Sequence, residues 1–472
     1  MAEPLLMTAA ELAEAVGGTV LAAADPRTIA FSSVTIDSRT VAEGALFVAL
    51  IGSERDGHDF IGRAFAAGAT VALAAASRME KDGAALRSAA EKAGAALVVA
   101  ADTLKALQDA AAAYLDRFPG LLRIGVTGSS GKTTTKELAA AMIGTEKKVV
   151  VNLGNLNSET GLPLSTFAVR ADHEVGLFEM GMNRRGEIGE LAAVLRPHIA
   201  LVTNVGTAHI GILGSREAIA EEKRAIFSKF TGKEIALVGE DEEYADFLVA
   251  GLKGTARRFG PASLPAFGGA RSLGLDGTEI VWAGKTARLA LPGAHNLANA
   301  LAAAAIAEAA GASANAIRQG IEAARPLFGR GEVLRGEVTV VRDCYNANPE
   351  ATEAAIAFCD SVEWNGRRVY VVGSMLELGA RSAAEHRRIG AALASSRADA
   401  VVLFGSETED ARAAFGGAAS GADKRVFRTD DIDELSRIVA GLVAPGDLVL
   451  LKGSRGTALE RLTGTLLPGK GA

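Results

Sequence analysis

Cysteine is nearly absent: the 472 residues hold two, Cys344 and Cys359. Neither sits in a CxxC, and two distant thiols cannot form the disulfide framework of a small secreted domain. A reducing cytoplasm fits. Long apolar runs are missing too. No segment approaches the roughly 18 uninterrupted apolar residues of a membrane helix. The longest, LANALAAAAIA at 297–307, is alanine-rich and reads as a packed helix. The opening MAEPLLMTAAELAEAVGG carries acids early and no basic stretch before an apolar core, so no secretory leader is expected. No run of Lys or Arg exceeds two residues, and the net charge is −6, which makes nucleic acid a poor partner. There is no repeat of 20–50 residues.

What is present is apolar material for several cores, 49% of the chain, and a length that predicts roughly three domains. Short β-type runs alternate with alanine-rich helical stretches. RIGVTG, EVGLFEMG, IALVTNVG, EIALVG, VTVVRD, RVYVVGS, AVVLFGS and DLVLLKGS read as strands. That alternation predicts an α/β fold with parallel sheets. Breaks at DRFPG (116–120) and RPLFGRGE (325–332) divide it into a small N-terminal α/β unit, 1–119, a central unit, 120–328, and a C-terminal unit, 329–472.

The sharpest local signal is RIGVTGSSGKTTTKELAAAM, 123–142. A strand ends in Gly128-Ser129-Ser130-Gly131-Lys132-Thr133-Thr134, and a helix follows. Small residues let backbone N–H groups turn toward an anion at the helix N-terminus. Lys132 supplies charge for nucleotide phosphates and Thr133 a hydroxyl for Mg²⁺. The full phosphate-loop pattern wants glycine at 126, where this chain has Val126. Nucleotide binding is expected, on a central parallel sheet of the P-loop type.

Such a loop needs a carboxylate from a second strand. Glu179 closes VGLFE, and a strand's carboxyl end faces the ligand crevice; a solvated strand end is the alternative. His209 lies just past IALVTNVG, as a metal ligand or a satisfied loop residue. Lys223, in the charged helix REAIAEEKRAIF, reads by itself as part of a solvated face.

TGSSGKTTTKE, NLGNLNSETGLP, FEMGMNRRGEI, NVGTAHI, EEKRAIF, PGAHNLANALAA, DCYNANPEAT, SMLELG and LKGSRG occur in this order over about residues 30–460. Together they resemble the Mur ligases, ATP-dependent amide ligases of peptidoglycan precursor synthesis. The YNANP, MLELG and KGSRG series, and the absence of DNPR, imply the member that joins D-alanyl-D-alanine to UDP-N-acetylmuramoyl-tripeptide. The alternatives are a Mur-type ligase with another amine, or a non-enzymatic nucleotide switch, which leaves the later motifs unexplained.

The resemblance implies roles residue by residue. Lys132 would neutralise ATP phosphates, and Thr133 and Glu179 would hold a first Mg²⁺. His209 would bind a second, and Lys223 would be carbamylated to bridge the metals. Gly128, Ser129, Ser130, Gly131 and Thr134 belong to the phosphate loop. His295, Asn296 and Asn299 would line the adenine pocket. Arg330 and Asp343 would close over ATP beside Tyr345 and Asn346, from a C-terminal Rossmann-like domain that also takes the dipeptide. Asn152, Asn155 and Asn157 would approach the UDP-muramoyl substrate, and Ser38, Arg39, Asp56, Gly57 and His58 its UDP end. Lys452, Ser454 and Arg455 would orient the dipeptide or merely cap the next helix. Ser374 stands where the family often has an acid. Ser382 and Glu385 are expected to form a capping box. A monomer is expected.

Overall fold

The structure, a computed structural model, describes residues 4–23, 25–416 and 424–468. The first three residues of the opening, where no leader is expected, and the last four of the C-terminal unit lie outside these. Three larger sheets follow one another along the chain. The first has five strands, in the order Thr19–Ala22, Ala96–Ala100, Val71–Ala75, Ala45–Val48, Ser33–Thr35. Only its Thr19–Ala22 edge runs antiparallel.

The second sheet is wholly parallel, with six strands in the order Thr255–Phe259, Ile235–Gly239, Ile199–Val202, Leu122–Thr127, Val175–Glu179, Val149–Val151. The strand feeding the phosphate loop is central. Helices cover both faces of such a sheet, so its strands read as continuous apolar runs, and every residue of Val175–Glu179 and Ile199–Val202 is buried. The third sheet is parallel except for its Glu332–Arg335 edge. Its order is Glu332–Arg335, Thr339–Asp343, Leu448–Lys452, Arg368–Gly373, Ala400–Phe404, Arg425–Thr429. All eight strand runs expected from the sequence are strands.

The run 297–307 lies in the helix Ala294–Ala309, which packs on the phosphate-loop helix Lys132–Ile143. Its alanines from 300 to 305 are buried. A second helix, Ala314–Ala323, comes closer still. A Cβ on Gly320 would lie 2.3 Å from Met142 Cα, which is backbone and cannot swing aside. Gly320→Ala is therefore expected to destabilise this unit by about 1–3 kcal/mol, as overpacking does. A lower denaturation midpoint in urea checks it; an unchanged one refutes the close approach.

One element was missed and one expectation fails here. An antiparallel three-stranded sheet, Phe267–Ser272, Thr278–Trp282 and Lys285–Leu289, was not read from the sequence. Nor does the expected capping box form. Ser382 is already helical, and its hydroxyl lies 3.2 Å from His386 Nδ1. Glu385 turns to Arg381 at 2.7 Å and Arg388 at 3.4 Å instead. A true box forms at Thr8 and Glu11, opening the helix Ala9–Ala15.

Candidate active site

The carboxyl ends of the second and third sheets face one another across a cavity of about 440 Å³. Ligands bind at such strand ends in α/β folds. Ser129 to Thr134 form one wall. Gly128 and Gly131 have φ of +153° and +79°. A Cβ at Gly128 would stand 1.7 Å from Thr203 Oγ1, and one at Gly131 2.2 Å from Asn299 Oδ1. Glycine is needed at both for conformation and for room.

The neighbouring strand end grips the loop. Thr203 Oγ1 donates to Ser130 O at 2.6 Å. Ser130 N donates to Asn204 Oδ1 at 3.0 Å, and Gly206 N to Ser129 Oγ at 2.8 Å. Sequence reasoning missed Thr203 and Asn204, although they follow a strand and carry side chains able to hold a loop.

Thr133 Oγ1 donates to Glu179 Oε2 at 2.6 Å, and Asn157 Nδ2 to Glu179 Oε1, also at 2.6 Å. A hydroxyl and a carboxylate at the lip of a phosphate loop are hard oxygen donors that suit Mg²⁺, which takes few protein ligands beside phosphates. Asn152 has another duty. It is fully buried, accepting from Glu179 N at 3.0 Å and donating to Glu179 O at 3.0 Å. Its amide is spent on shaping that strand end, while Asn155 and Asn157 face the cavity.

Lys132 Nζ donates to Gly128 O at 2.6 Å. Burial lowers its pKa, with Arg330 adding to the shift and Glu179 opposing it. Lys223 overturns its reading as a solvated face: it is 1% exposed. Ile219, Lys223 and Phe227 recur at helical spacing, and that stripe is buried. Among the described residues its amine has no hydrogen-bond partner, and the nearest carboxylate in sequence, Glu222, is committed to Gly186 N and Ile188 N at 2.7 and 2.9 Å. Burial first, then Lys132, drives the Lys223 pKa well below the lysine range. As an ammonium it would have no lone pair for a metal; no cluster of three His, Cys, Asp or Glu that could hold a metal occurs among the described residues. A buried, unpartnered amine whose charged form is disfavoured does fit carbamylation.

The opposite wall comes from the third sheet and the segment before it. Arg330 stacks 4.0 Å from the Tyr345 ring centroid. Lys452 Nζ is 2.8 Å from Asp343 Oδ2 and donates to Asn346 O at 2.9 Å. His295, Asn296 and Asn299 line the same cavity, with burial lowering the His295 pKa. Arg455 lies outside the lining, paired with Glu460 at 2.7 Å. Ser454 is buried and accepts from Leu376 N at 2.9 Å; its side chain caps no helix. Ser374 donates to Glu407 Oε2 at 2.6 Å.

Two acids of the third unit were not singled out from sequence. Glu350 accepts from Thr207 Oγ1 at 2.9 Å, and Glu377 Oε2 lies 3.0 Å from His209 Nδ1. Glu350 directly follows YNANP and Glu377 lies within MLELG, both past strand ends.

The first-sheet residues do not line this cavity. His58 is 2% exposed; its Nδ1 meets Asp56 at 2.5 Å and its Nε2 accepts from Ala75 N at 2.8 Å. Arg78 joins Asp56 at 2.5 Å. Gly57 allows the backbone to pass Leu50 closely. Ser38 is partly exposed, and Arg39 is exposed and paired with Asp37 at 2.6 Å. Cys344 and Cys359 are free and buried; burial pushes the Cys344 thiol up to about 12. No described helix is long and apolar enough to cross a membrane.

Three α/β units, with a phosphate loop facing basic and amide side chains of the next unit, define a P-loop enzyme that works between domains. The chain belongs to the Mur ligase family. The Mur ligase family catalytic domain matches residues 30–141, the Mur ligase middle domain 126–307, and the Mur ligase glutamate ligase domain 329–455. The UDP-N-acetylmuramoyl-tripeptide–D-alanyl-D-alanine ligase of Treponema pallidum is 43% identical over 92% of this chain and 93% of its own. That of Escherichia coli is 33% identical, covering 93% and 94%. A crystal structure of MurF from Acinetobacter baumannii aligns with a TM-score of 0.87 at 28% identity, covering 99% of both chains. The MurF ligase of Thermotoga maritima in complex with ADP gives 0.77 at 28% identity, covering 92% and 96%.

Proposed function

We propose that this chain joins D-alanyl-D-alanine to UDP-N-acetylmuramoyl-tripeptide at the cost of ATP, making the pentapeptide precursor of peptidoglycan. The observation that carries the reading is a phosphate loop, with its Thr133–Glu179 pair, opening onto the strand ends of the third sheet. Residues 1–119 hold the UDP-sugar, 120–328 the ATP and 329–472 the dipeptide.

A carboxylate is a poor electrophile, and phosphorylation corrects that. The tripeptide's terminal carboxylate attacks the γ-phosphorus, the bond to the β-phosphate oxygen breaks, and ADP leaves. The neutral amine of the dipeptide then attacks the acyl phosphate, phosphate leaves, and the amide remains. Mg²⁺ held at Thr133 and Glu179, with a second ion at His209 and carbamylated Lys223, would neutralise charge gathering on the phosphates. Lys132 and Arg330 approach the same charge from the two units, an arrangement worth most where water is excluded. Asn157 fixes one Glu179 oxygen, so the carboxylate keeps one orientation. His295, Asn296 and Asn299 frame the nucleotide base. Closure of the third unit delivers the amine and shields the acyl phosphate from water.

The test is ADP release with Mg-ATP and UDP-N-acetylmuramoyl-tripeptide, with and without D-alanyl-D-alanine. Dipeptide-dependent ADP matched by a UDP-pentapeptide mass is expected. Equal ADP without dipeptide, and no pentapeptide, sinks the reading and points to another amine or to a switch.

A further inference from the structure

The segment from Thr203 to Gly211, a loop running into the short helix Ile210–Leu213, has two faces. One holds the phosphate loop through Thr203, Asn204 and Gly206. The other meets the third unit through Thr207 and His209. At the second face the backbones themselves touch. Gly211 N donates to Glu377 O at 3.2 Å, and a Cβ on Gly211 would lie 2.6 Å from both that oxygen and Gly379 N.

His209 and Glu377 are two of only five non-glycine residues with positive φ among the described residues, at 63° and 66°. Both partners of one contact are thus held in an unfavourable backbone conformation, a feature that concentrates at functional sites. The Glu377 side chain is 55% exposed. An ion pair so exposed returns little stability, less than two strained residues cost. Stability does not account for the contact.

Its chemistry does. A histidine that works through one ring nitrogen needs its other nitrogen held, and a carboxylate is the usual holder. The Glu377 carboxylate lies 3.0 Å from Nδ1, yet Nδ1 is buried and lacks an aligned hydrogen bond. Contacts of this kind tighten when the ligands arrive. Glu377 belongs to the third unit and His209 to the second, so the contact spans the joint between them.

We propose that Glu377 is a positioning residue for His209: on closure it fixes the proton on Nδ1 and turns Nε2 to the phosphate site. The inference rests on the ligase reading for what Nε2 then does, but not for the contact itself.

Histidine-selective ¹⁵N labelling reads the tautomer. The chain has six histidines, and H209Q identifies the signal. Two-bond ¹H–¹⁵N spectra are taken in metal-free buffer with AMP-PNP. The wild type is expected to carry the proton on Nδ1, E377A to lose that pattern, and E377Q, which keeps an acceptor oxygen, to retain it. In turnover, E377A is expected to lose about 10–100-fold in kcat, the usual range for a ligand's supporting carboxylate. KM values should move less than about threefold, because ground-state binding is untouched. E377Q should recover most of kcat. Identical His209 spectra in wild type and E377A overturn the proposal, even if kcat falls, since the residue would then act on structure alone. An unchanged kcat in E377A overturns it too. The expected spectral change in a chain that ligates nothing leaves the positioning intact and sinks only the reading of the reaction.

Discussion

Lys132→Met is expected to lower kcat/KM for ligation by about 10³-fold, the scale set by losing one preorganised charge at a transferring phosphoryl group. The side chain reaches back across its own loop to Gly128 O and is half-buried. Methionine has similar length and apolar volume, so the loop should keep its shape. What disappears is the positive charge opposite Glu179. The Thr133–Glu179 pair and the Arg330–Tyr345 stack remain, so nucleotide binding should weaken less than turnover. Steady-state ADP release, with circular dichroism to show an intact fold, measures it. A loss smaller than tenfold would mean that the lysine only shapes the loop.

Lys223→Ala is expected to cost a similar factor, about 10³, for loss of a bridging anion between charges. The buried amine is neutral at a pH where an exposed lysine is an ammonium, because burial and Lys132 both disfavour the charge. A neutral amine adds CO₂ and releases a proton, so the carbamate should build up as pH rises and fall away on acidification. Enzyme stripped of CO₂ at mildly acidic pH should therefore be inactive and recover with bicarbonate near pH 8. Lys223→Arg introduces a permanent cation that cannot form the carbamate, and bicarbonate should not rescue it. ¹³C-bicarbonate should give a carbamate signal in the wild type alone. Full activity without CO₂ would reject the modification.

The sequence made the parallel strands plain because strands buried on both faces are unbroken apolar runs. The sheet Phe267–Leu289 was hidden for the opposite reason. Its strand Phe267–Ser272 is largely exposed, and its Gly-rich turns read as loops. Lys223 looked solvated because its helix is charged; burial there depends on Ile219 and Phe227 sharing its stripe, a period present in the sequence but outvoted by composition. Glu377 could not be foreseen as a partner of His209, since no local pattern joins residues so far apart in the chain. Ser382 shows the limit of short motifs: S-x-x-E was present, but the helix started one residue too early for the box.

One buried apolar cluster runs through all three large sheets, from Leu73 by way of Phe178 to Tyr370, whereas the cavity belongs to none of them. It exists only where two bodies meet, and its joints at Thr207–Glu350 and His209–Glu377 are polar and partly wetted. Such joints open with far less free energy than a sheet. Mild denaturant or high salt should thus silence the chain while its secondary structure is still whole, and dilution should restore it at once. Damage of that kind is a failure of assembly, which leaves the parts sound.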